Sequence, residues 1–261
     1  MSAINKYTAF AEPLVHAGKS GRPGKYGYRM GMGMMPSAEF YVHFDDFDGA
    51  VGTNAVTGSN GQAYTAIIDT GATLTKDATA ASTLGTHGVL KIASDGTSEG
   101  AANYKAKDIQ ILSGKRFFIE ALVRSSNVAE VDLQFGLSVA TATTNPEDLW
   151  TTTSTDLITF GLLAGSAYPT MLSDLSNSGT SAQAQTNKLM VNNTWHTLAI
   201  YCDGSSELSG WLDGDRVLVW SSAFATTVPV GVLLYPFFGA RTGATAGNLS
   251  YIDYIRWAME R

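Results

Sequence analysis

Apolar and polar positions alternate with a period of two along most of the chain after residue 36. The segment "RFFIEALVR" places Phe117, Ile119 and Val123 on one side and Glu120 and Arg124 on the other. The segment "EVDLQFGLSV" repeats this pattern from residue 130 to residue 139. Successive side chains of a strand point to opposite faces, so both segments predict β-strands with one drier side.

The clearest block of alternation covers residues 194–220, where three apolar runs are separated by Asp203-Gly204 and Asp213-Gly214. Asp-Gly pairs favour tight hairpin turns because both residues tolerate positive φ, so the block predicts an antiparallel meander. Cys202 falls on the apolar side of the first run, which predicts a small buried residue rather than a reactive thiol. Further strands are predicted within the segments 39–44, 63–69, 88–94, 156–163, 234–241 and 247–259.

No segment has a sustained helical period, and two long polar segments, residues 141–156 and 173–188, are predicted to be connecting loops. The closing strand is predicted to alternate without interruption, with Leu249, Tyr251, Asp253, Ile255 and Trp257 on one side. The pattern as a whole is typical of an all-β domain built from short strands.

Charge divides the chain into two regions. Only 15% of the 261 residues are charged and the net charge is −6. Residues 1–36 contain five basic residues and one acidic residue, hence net +4, which leaves −10 on residues 37–261. We therefore predict an N-terminal arm, rich in Gly, Met and basic residues, followed by one acidic domain. A single cysteine excludes an intrachain disulfide, and the chain begins without a signal-peptide pattern, so we expect a soluble protein made in the cytoplasm.

The order of several segments resembles concanavalin A-like, or laminin-G-like, jelly-roll proteins. These segments are "DDFDG" from Asp45, "WHTLAI" from Trp195, "WLDGDRV" from Trp211, "PFFGAR" from Pro236 and "IDYIRW" from Ile252. The resemblance implies an all-β fold, a two-sheet antiparallel jelly-roll sandwich over residues 37–261. None of these residues is catalytic, so the resemblance predicts a fold and no reaction.

Within that superfamily, the short arm and the neutral surface rich in Thr, Ser, Ala and Gly are similar to capsid decoration, or cement, proteins of tailed bacteriophages. This second resemblance implies a structural virion protein on a capsid surface. Its partners would be the major capsid protein or another virion protein, and a homodimer or homotrimer is expected on a symmetric shell. The alternative is a lectin-like carbohydrate-binding module without catalytic activity, alone or displayed on a virion.

The arm carries the residues through which such a partner would be bound. Flexible thioethers fit irregular apolar grooves, and basic side chains are attracted to an acidic surface. The predicted partner-binding residues are Lys19, Arg22, Lys25, Arg29, Met30, Met32, Met34 and Met35. Beyond Tyr26 and Tyr28 the arm has no interleaved aromatic residues for stacking on single-stranded nucleic acid, so nucleic acid is not the expected partner. It also lacks the amphipathic helix that a membrane requires, so we do not expect a membrane either. A terminus without any role is the remaining alternative.

A retaining glycosidase needs two carboxyl groups about 5 Å apart. The nearest approach to such a pair on one strand is Glu130, Asp132 and Gln134, in which glutamine occupies the place of the second acid. Glutamine cannot exchange a proton, so we predict that the protein is not an enzyme. A glycosidase is retained only as a third alternative.

No cofactor motif is present, and no metal site is predicted. The four histidines, His16, His43, His87 and His196, are dispersed and lack the spacing of metal ligands. Asp45, Asp46 and Asp48 lack the order of a calcium loop and are interpreted as a turn after the first strand.

Among the five tryptophans, four lie in predicted strands, where core and sheet-surface positions are expected. These are Trp195, Trp211, Trp220 and Trp257. Trp150 lies in a polar loop and is the candidate for stacking on a sugar ring, against the alternative of a half-buried loop anchor.

Overall fold

A computed structural model gives the fold. It describes residues 40–45, 47, 56–57, 63–77, 88–96, 99–104, 109–139, 156–175, 180–220, 228–243 and 246–260. The regular elements in these ranges are all β-strands, and no helix there is long and apolar enough to cross a membrane. The arm residues 1–36, Trp150, Asp46, Asp48, His16 and His87 lie outside the described residues.

The strands form two antiparallel sheets. The first sheet has eight strands and contains, in spatial order, β15 (Asp215–Trp220), β14 (Leu208–Leu212), β13 (His196–Cys202), β8 (Phe117–Ser125), β17 (Leu249–Glu260), β5 (Leu90–Ser94) and β4 (Ala72–Lys76), with β1 (Phe40–Asp45) also paired to β17.

The second sheet has nine strands. It contains, in spatial order, β12 (Thr180–Gln185), β11 (Thr170–Leu175), β10 (Leu157–Leu162), β9 (Val131–Ser138), β16 (Leu233–Thr242), β6 (Gly100–Tyr104), β3 (Ala63–Ile68) and β2 (Val56–Thr57), with β7 (Ile109–Gln110) also paired to β16. Neighbouring strands come from distant parts of the sequence, as in β16 beside β9, and the two sheets form a sandwich. The predicted fold class is confirmed.

The main core lies between the two sheets. Ile119 of β8 and Leu198 of β13 contribute to it from the eight-stranded sheet, while Phe135 of β9 and Phe160 of β10 contribute from the nine-stranded sheet. Cys202 belongs to the same core, as predicted, and burial raises the pKa of its thiol to about 12. In β8, β9 and β13 the alternation read from the sequence therefore identifies the inward side chains correctly.

The prediction of one drier side is wrong for the central strands. Every residue of β9 and β10 is buried, and in β8 only Arg124 is partly exposed. Glu120, Asp132 and Gln134 point away from the main core and are nevertheless shielded from water. Alternation shows which side chains share a face, but it does not show what covers that face.

One predicted turn is confirmed and the other differs from the expectation. Asp213 and Gly214 both have positive φ, 51° and 88°, and they join β14 to β15 as a two-residue turn. Between β13 and β14, by contrast, the connection has five residues, 203–207. The Asp203 carboxylate holds that loop, because its Oδ1 accepts N–H groups from Ser205, Ser206 and Glu207, each at 2.8 Å.

The predicted loop at residues 173–188 is largely wrong. Thr170–Leu175 and Thr180–Gln185 pair as the antiparallel strands β11 and β12 at the edge of the nine-stranded sheet. Ser, Thr, Gln and Ala make up all of β12, and the apolar residues of β11 (Met171, Leu172 and Leu175) do not alternate, so apolar periodicity gives no strand signal there. Pairing with the neighbouring strand β10 decides the conformation.

The uninterrupted alternation of the closing strand is also wrong. A register shift between Ile252 and Tyr254 marks a bulge at Asp253 where β17 pairs with β8. Ile252 and Ile255 consequently both belong to the main core, although they are three positions apart. Bulges insert one extra residue and reverse the faces of the residues that follow.

Candidate functional site

The candidate site lies on the outer face of the nine-stranded sheet, where three glycines come together. Gly136 of β9, Gly161 of β10 and Gly239 of β16 all belong to the outward register, and Gln134 stands directly opposite both Gly161 and Gly239. We call these three residues the glycine strip. They place no side chain of their own beside Gln134 on three adjacent strands, although all three glycines are buried.

Close packing of the backbone explains two of these glycines. A methyl group on Gly136 would overlap the carbonyl oxygen of Ile158, and one on Gly161 would overlap that of Leu133. The sheet therefore requires glycine at both positions. The consequence for the outer face is a strip without side chains of its own, which is nevertheless shielded from water.

Two buried polar atoms beside the glycine strip have no hydrogen-bond partner among the described residues. Gln134 is 2% exposed, and although its Nε2 donates to the carbonyl oxygen of Leu162 at 2.7 Å, its Oε1 accepts no hydrogen bond from the described part of the chain. Thr159 is 1% exposed, and its Oγ1 has no partner within the same ranges. A buried polar atom without a partner costs free energy, so such atoms in a native fold call for an explanation.

The register places these two side chains close to one another. Thr159 opposes Gly136, and Gln134 opposes Gly161, so the two residues form a diagonal pair across β9 and β10. Diagonal neighbours in an antiparallel pair have Cβ atoms about 7–8 Å apart. Because both facing positions are glycine, no other side chain of these two strands lies between them.

Beside this pair, both carboxylate oxygens of Asp132 accept hydrogen bonds. Its Oδ2 accepts two hydrogen bonds from Arg241, from Nε at 3.0 Å and from Nη2 at 2.8 Å. Its Oδ1 accepts the N–H of Ala164 at 2.7 Å. These bonds occupy both oxygens and hold the carboxylate in one orientation. With Gln134 as its neighbour, this strand offers no pair of carboxyl groups for retaining hydrolysis.

The side of the face beyond Gly136 is apolar. Phe237 opposes Gly136 across β9 and β16, and Ala102 packs beside it on β6. Ile67 and Tyr235 pack against this pair and stay partly exposed. The glycine strip thus separates an aromatic and aliphatic cluster from the polar atoms of Gln134 and Thr159, an arrangement typical of small-molecule sites.

Both described histidines have structural roles. His196 Nε2 accepts the N–H of Val191 at 2.9 Å, and its Nδ1 lies 2.7 Å from Asp213 Oδ2. The His43 ring stacks on Trp257, with the ring centroids 4.0 Å apart. No group of three His, Cys, Asp or Glu residues that could hold a metal ion occurs within the described ranges.

Asp45 takes part in the turn that was expected after the first strand. Its Oδ1 accepts the N–H of Phe47 at 2.8 Å, and its Oδ2 accepts the Tyr64 hydroxyl at 2.9 Å. Among the tryptophans, Trp257 is buried, whereas Trp195, Trp211 and Trp220 are half-buried. The arm residues and Trp150 lie outside the described residues, so their predicted roles stay predictions.

Sequence reasoning found Gln134 only as a missing acid, and it did not find Thr159. Residues 134 and 159 become neighbours through the register of β9 and β10, which alternation alone does not give. A signal was nevertheless present, because Gly136 and Gly161 interrupt two apolar strands where a larger residue would be expected.

No family model matches the sequence, and no curated protein matches it either. Several solved structures are similar in fold. Arcelin-5, a lectin-like defence protein from Phaseolus vulgaris, has a TM-score of 0.55 at 10% identity, over 85% of this chain and 98% of that one. Peanut lectin with a 9-residue peptide has a TM-score of 0.52 at 8% identity, over 85% and 97%.

An enzyme is similar to the same degree. The endo-β-1,4-glucuronan lyase from the fungus Trichoderma reesei has a TM-score of 0.55 at 12% identity, over 82% of this chain and 94% of that one. None of these three structures is a capsid protein, so the virion role stays a prediction. What the three share with this chain is the fold: the protein is a concanavalin A-like jelly-roll sandwich.

Proposed function

We propose that the protein is a carbohydrate-binding module without hydrolytic activity, and that a neutral saccharide binds along the glycine strip. The observation that carries this proposal is the pair of buried atoms without partners among the described residues, Gln134 Oε1 and Thr159 Oγ1. A sugar hydroxyl can donate to the amide oxygen, and the threonine hydroxyl can both donate to and accept from the next one. A saccharide that reaches this buried face would therefore satisfy both atoms.

The apolar cluster on the other side of the strip supports the same ligand class. On one side Tyr235 and Ile67, both partly exposed, pack against the buried Phe237, and on the other side lie the hydrogen-bonding groups. A pyranose ring has the same division, with apolar C–H faces and a polar rim. The similarity to arcelin-5 and peanut lectin is compatible with this function, but at 10% and 8% identity it supports the fold alone.

Lack of hydrolysis is proposed from the chemistry of the same strand. Asp132 is held by Arg241 and Ala164, and Gln134 cannot exchange a proton. A saccharide bound over the strip would meet a fixed carboxylate and an amide instead of a nucleophile and an acid. The test is to incubate the full chain with the oligosaccharide that it binds and to measure new reducing ends, of which we expect none.

The binding test uses Thr159→Val, which removes the hydroxyl and keeps the shape of the side chain. A glycan array with the full chain identifies a neutral oligosaccharide, and calorimetry then measures its affinity. We expect Thr159→Val to weaken binding by roughly tenfold, as loss of one buried hydrogen bond of about 1.4 kcal/mol would do. Thermal unfolding should not weaken, because the hydroxyl has no partner in the described part of the fold.

Thr73→Val is the matched control, since Thr73 is exposed on β4 in the opposite sheet and its hydroxyl is outside the site. This variant should bind as the original chain does. The proposal is overturned if Thr159→Val binds the oligosaccharide with unchanged affinity, because an internal water molecule would then be the partner of Oγ1. It is equally overturned if hydrolysis occurs and Asp132→Asn abolishes it.

A further inference from the structure

A row of cationic and aromatic side chains crosses the outer face of the opposite, eight-stranded sheet. Tyr251 of β17 opposes Arg124 of β8 on one side and Lys91 of β5 on the other. Trp195 lies directly before β13. Since His196 opposes Val123, Trp195 lies beside Arg124 and extends the row on that side. We call these four residues the basic row. All four side chains are partly exposed.

Arg124 is held between two aromatic rings. Its guanidinium carbon lies 4.2 Å from the centroid of the Tyr251 ring and 4.9 Å from that of Trp195. The two rings are inclined at 64°, with their centroids 6.4 Å apart. Cation–π contacts of this kind fix the direction of the guanidinium group and leave its charge in place.

The charge on the row has no acidic counterpart among the described residues. Arg124 Nε is buried without a hydrogen-bond partner there, and neither Arg124 nor Lys91 forms an ion pair in the described part of the chain. Other described basic residues behave differently: Arg116 pairs with Glu260, and Arg216 pairs with Glu207. Residues 37–261 carry a net charge of −10, so two cations of one row without such pairs stand out on an acidic domain.

We propose that the basic row binds an anionic saccharide. Arg124 would pair with a carboxylate of one sugar unit, Lys91 would contact the acidic group of another, and Tyr251 would lie beneath the ring between them. Adjacent strands are about 4.8 Å apart, so the backbones of Lys91 and Arg124, which stand two strands apart, lie about 10 Å from one another. A linear polymer with an acidic group on each ring can reach both cations.

The aromatic members of the row favour a saccharide over a simple anion. An inorganic anion needs only the guanidinium and ammonium groups, whereas Trp195 and Tyr251 add apolar surface that a sugar ring can cover. The row also lies on the face of a sheet and not along its edge, so a peptide could not bind there by adding a strand. This proposal does not depend on the neutral-saccharide site, which belongs to the opposite sheet.

The experiment compares an oligogalacturonate with its methyl ester, which has the same rings without the negative charges. The full chain is titrated with each in a calorimeter at low salt. We expect the acid form to bind about tenfold or more tightly than the ester, because charge-assisted pairs to Arg are roughly twice as strong as neutral hydrogen bonds. Arg124→Gln should lose about tenfold in affinity, and Lys91→Gln a smaller factor.

Arg216→Gln is the matched control for net charge. Arg216 is exposed on β15 at the other end of the same sheet, and this variant should bind the acid form as the original chain does. Residues 1–36, with their net +4, are identical in all variants, so their contribution cancels. Arg124→Lys keeps the charge and loses the planar fork, and we expect an intermediate affinity.

Three results would overturn the proposal. The first is equal affinity for the acid and the ester. The second is equal loss in Arg124→Gln and Arg216→Gln, which would show a response to net charge only. The third is a lack of binding to the acid form by the original chain. Thermal unfolding of each variant excludes misfolding, and Thr159→Val should leave the acid affinity unchanged, so failure at one sheet is distinguishable from failure at the other.

Discussion

The buried pair of Glu120 and Arg256 allows the sharpest test of the sandwich itself. The two residues oppose one another on β8 and β17, and Arg256 Nη2 contacts Glu120 Oε1. Glu120 is 0% exposed and Arg256 is 4% exposed, and the Tyr254 hydroxyl donates to the same Oε1 at 2.6 Å. Burial raises the pKa of Glu120, and Arg256 and Tyr254 lower it again in part.

The perturbation is a double-mutant cycle of Glu120→Leu, Arg256→Met and the double variant. Glu120→Leu removes the carboxylate partner of a guanidinium group that stays charged at every accessible pH, so we expect a loss of about 3 kcal/mol or more. The double variant replaces the pair with apolar side chains. It should therefore lie within about 1 kcal/mol of the original chain, or exceed its stability.

Arg256→Met should behave differently, because Glu120 can take up a proton. Protonating a carboxyl group with an unfolded pKa of about 4.3 costs about 3.7 kcal/mol at pH 7. Because Glu120 can be protonated at that cost, an uncompensated charge cannot destabilise Arg256→Met by more than this amount. A folded pKa above the unfolded one favours folding at low pH and disfavours it as pH rises between the two values. The loss in Arg256→Met should therefore shrink by roughly 1.4 kcal/mol per pH unit from pH 7 toward pH 5.

The assay is guanidinium chloride unfolding of the four proteins at pH 7 and pH 5. The reasoning is refuted if the two single losses add up in the double variant, because coupling between the residues requires non-additivity. A pH-independent loss in Arg256→Met would refute the argument about protonation. In Glu120→Leu no carboxyl group remains at position 120, so its loss of stability should not shrink toward pH 5. If that loss shrank as in Arg256→Met, the argument about protonation would also be refuted.

Three further predictions concern a loop, a glycine and the arm. Asp203→Ala should lower the free energy of unfolding by about 2 kcal/mol at pH 7, because three N–H groups lose their acceptor. Although partial burial opposes it, these N–H groups lower the pKa of Asp203. The difference from the original chain should therefore decrease as pH falls below about 4 and disappear once the carboxyl group is protonated in the folded protein, which urea unfolding across pH measures. Gly161→Ala should cost about 2 kcal/mol or more through overlap with Leu133, and normal thermal stability would contradict the register of β9 and β10. Deletion of residues 1–36 should abolish co-sedimentation with undecorated phage-like capsids if the sequence-based virion role holds, and binding by neither form would remove its support.

Strands with strong apolar alternation could be predicted from the sequence, and those without it could not. β8, β9 and β13 were predicted because their inward residues repeat every second position in the main core. The strand β12 contains only small and polar residues and β11 lacks regular apolar alternation, so pairing at the edge of the sheet makes them strands. The bulge at Asp253 was missed for a related reason, since it depends on the partner strand.

The candidate sites depend even more on register. Thr159 looks like an ordinary strand threonine until β10 is placed beside β9, and Arg124 looks like an ordinary outward arginine until Trp195 and Tyr251 come to lie beside it. Sequence reasoning searched for paired carboxylates and exposed loop tryptophans. Both candidate sites instead consist of single polar residues on several strands, and no short segment of the sequence contains either of them.

The two outer faces differ in the kind of ligand that they can hold. Beside the glycine strip, the atoms without partners among the described residues are neutral and buried, so charge would be costly to bring there. On the basic row, the side chains without acidic partners in the same ranges are cations with partial exposure, which suits an anion that keeps some of its water. Since the main core separates Thr159 from Arg124, one sugar unit cannot contact both residues. A chain that binds both ligand classes would therefore bind them independently, with the affinity for each unchanged by saturation with the other.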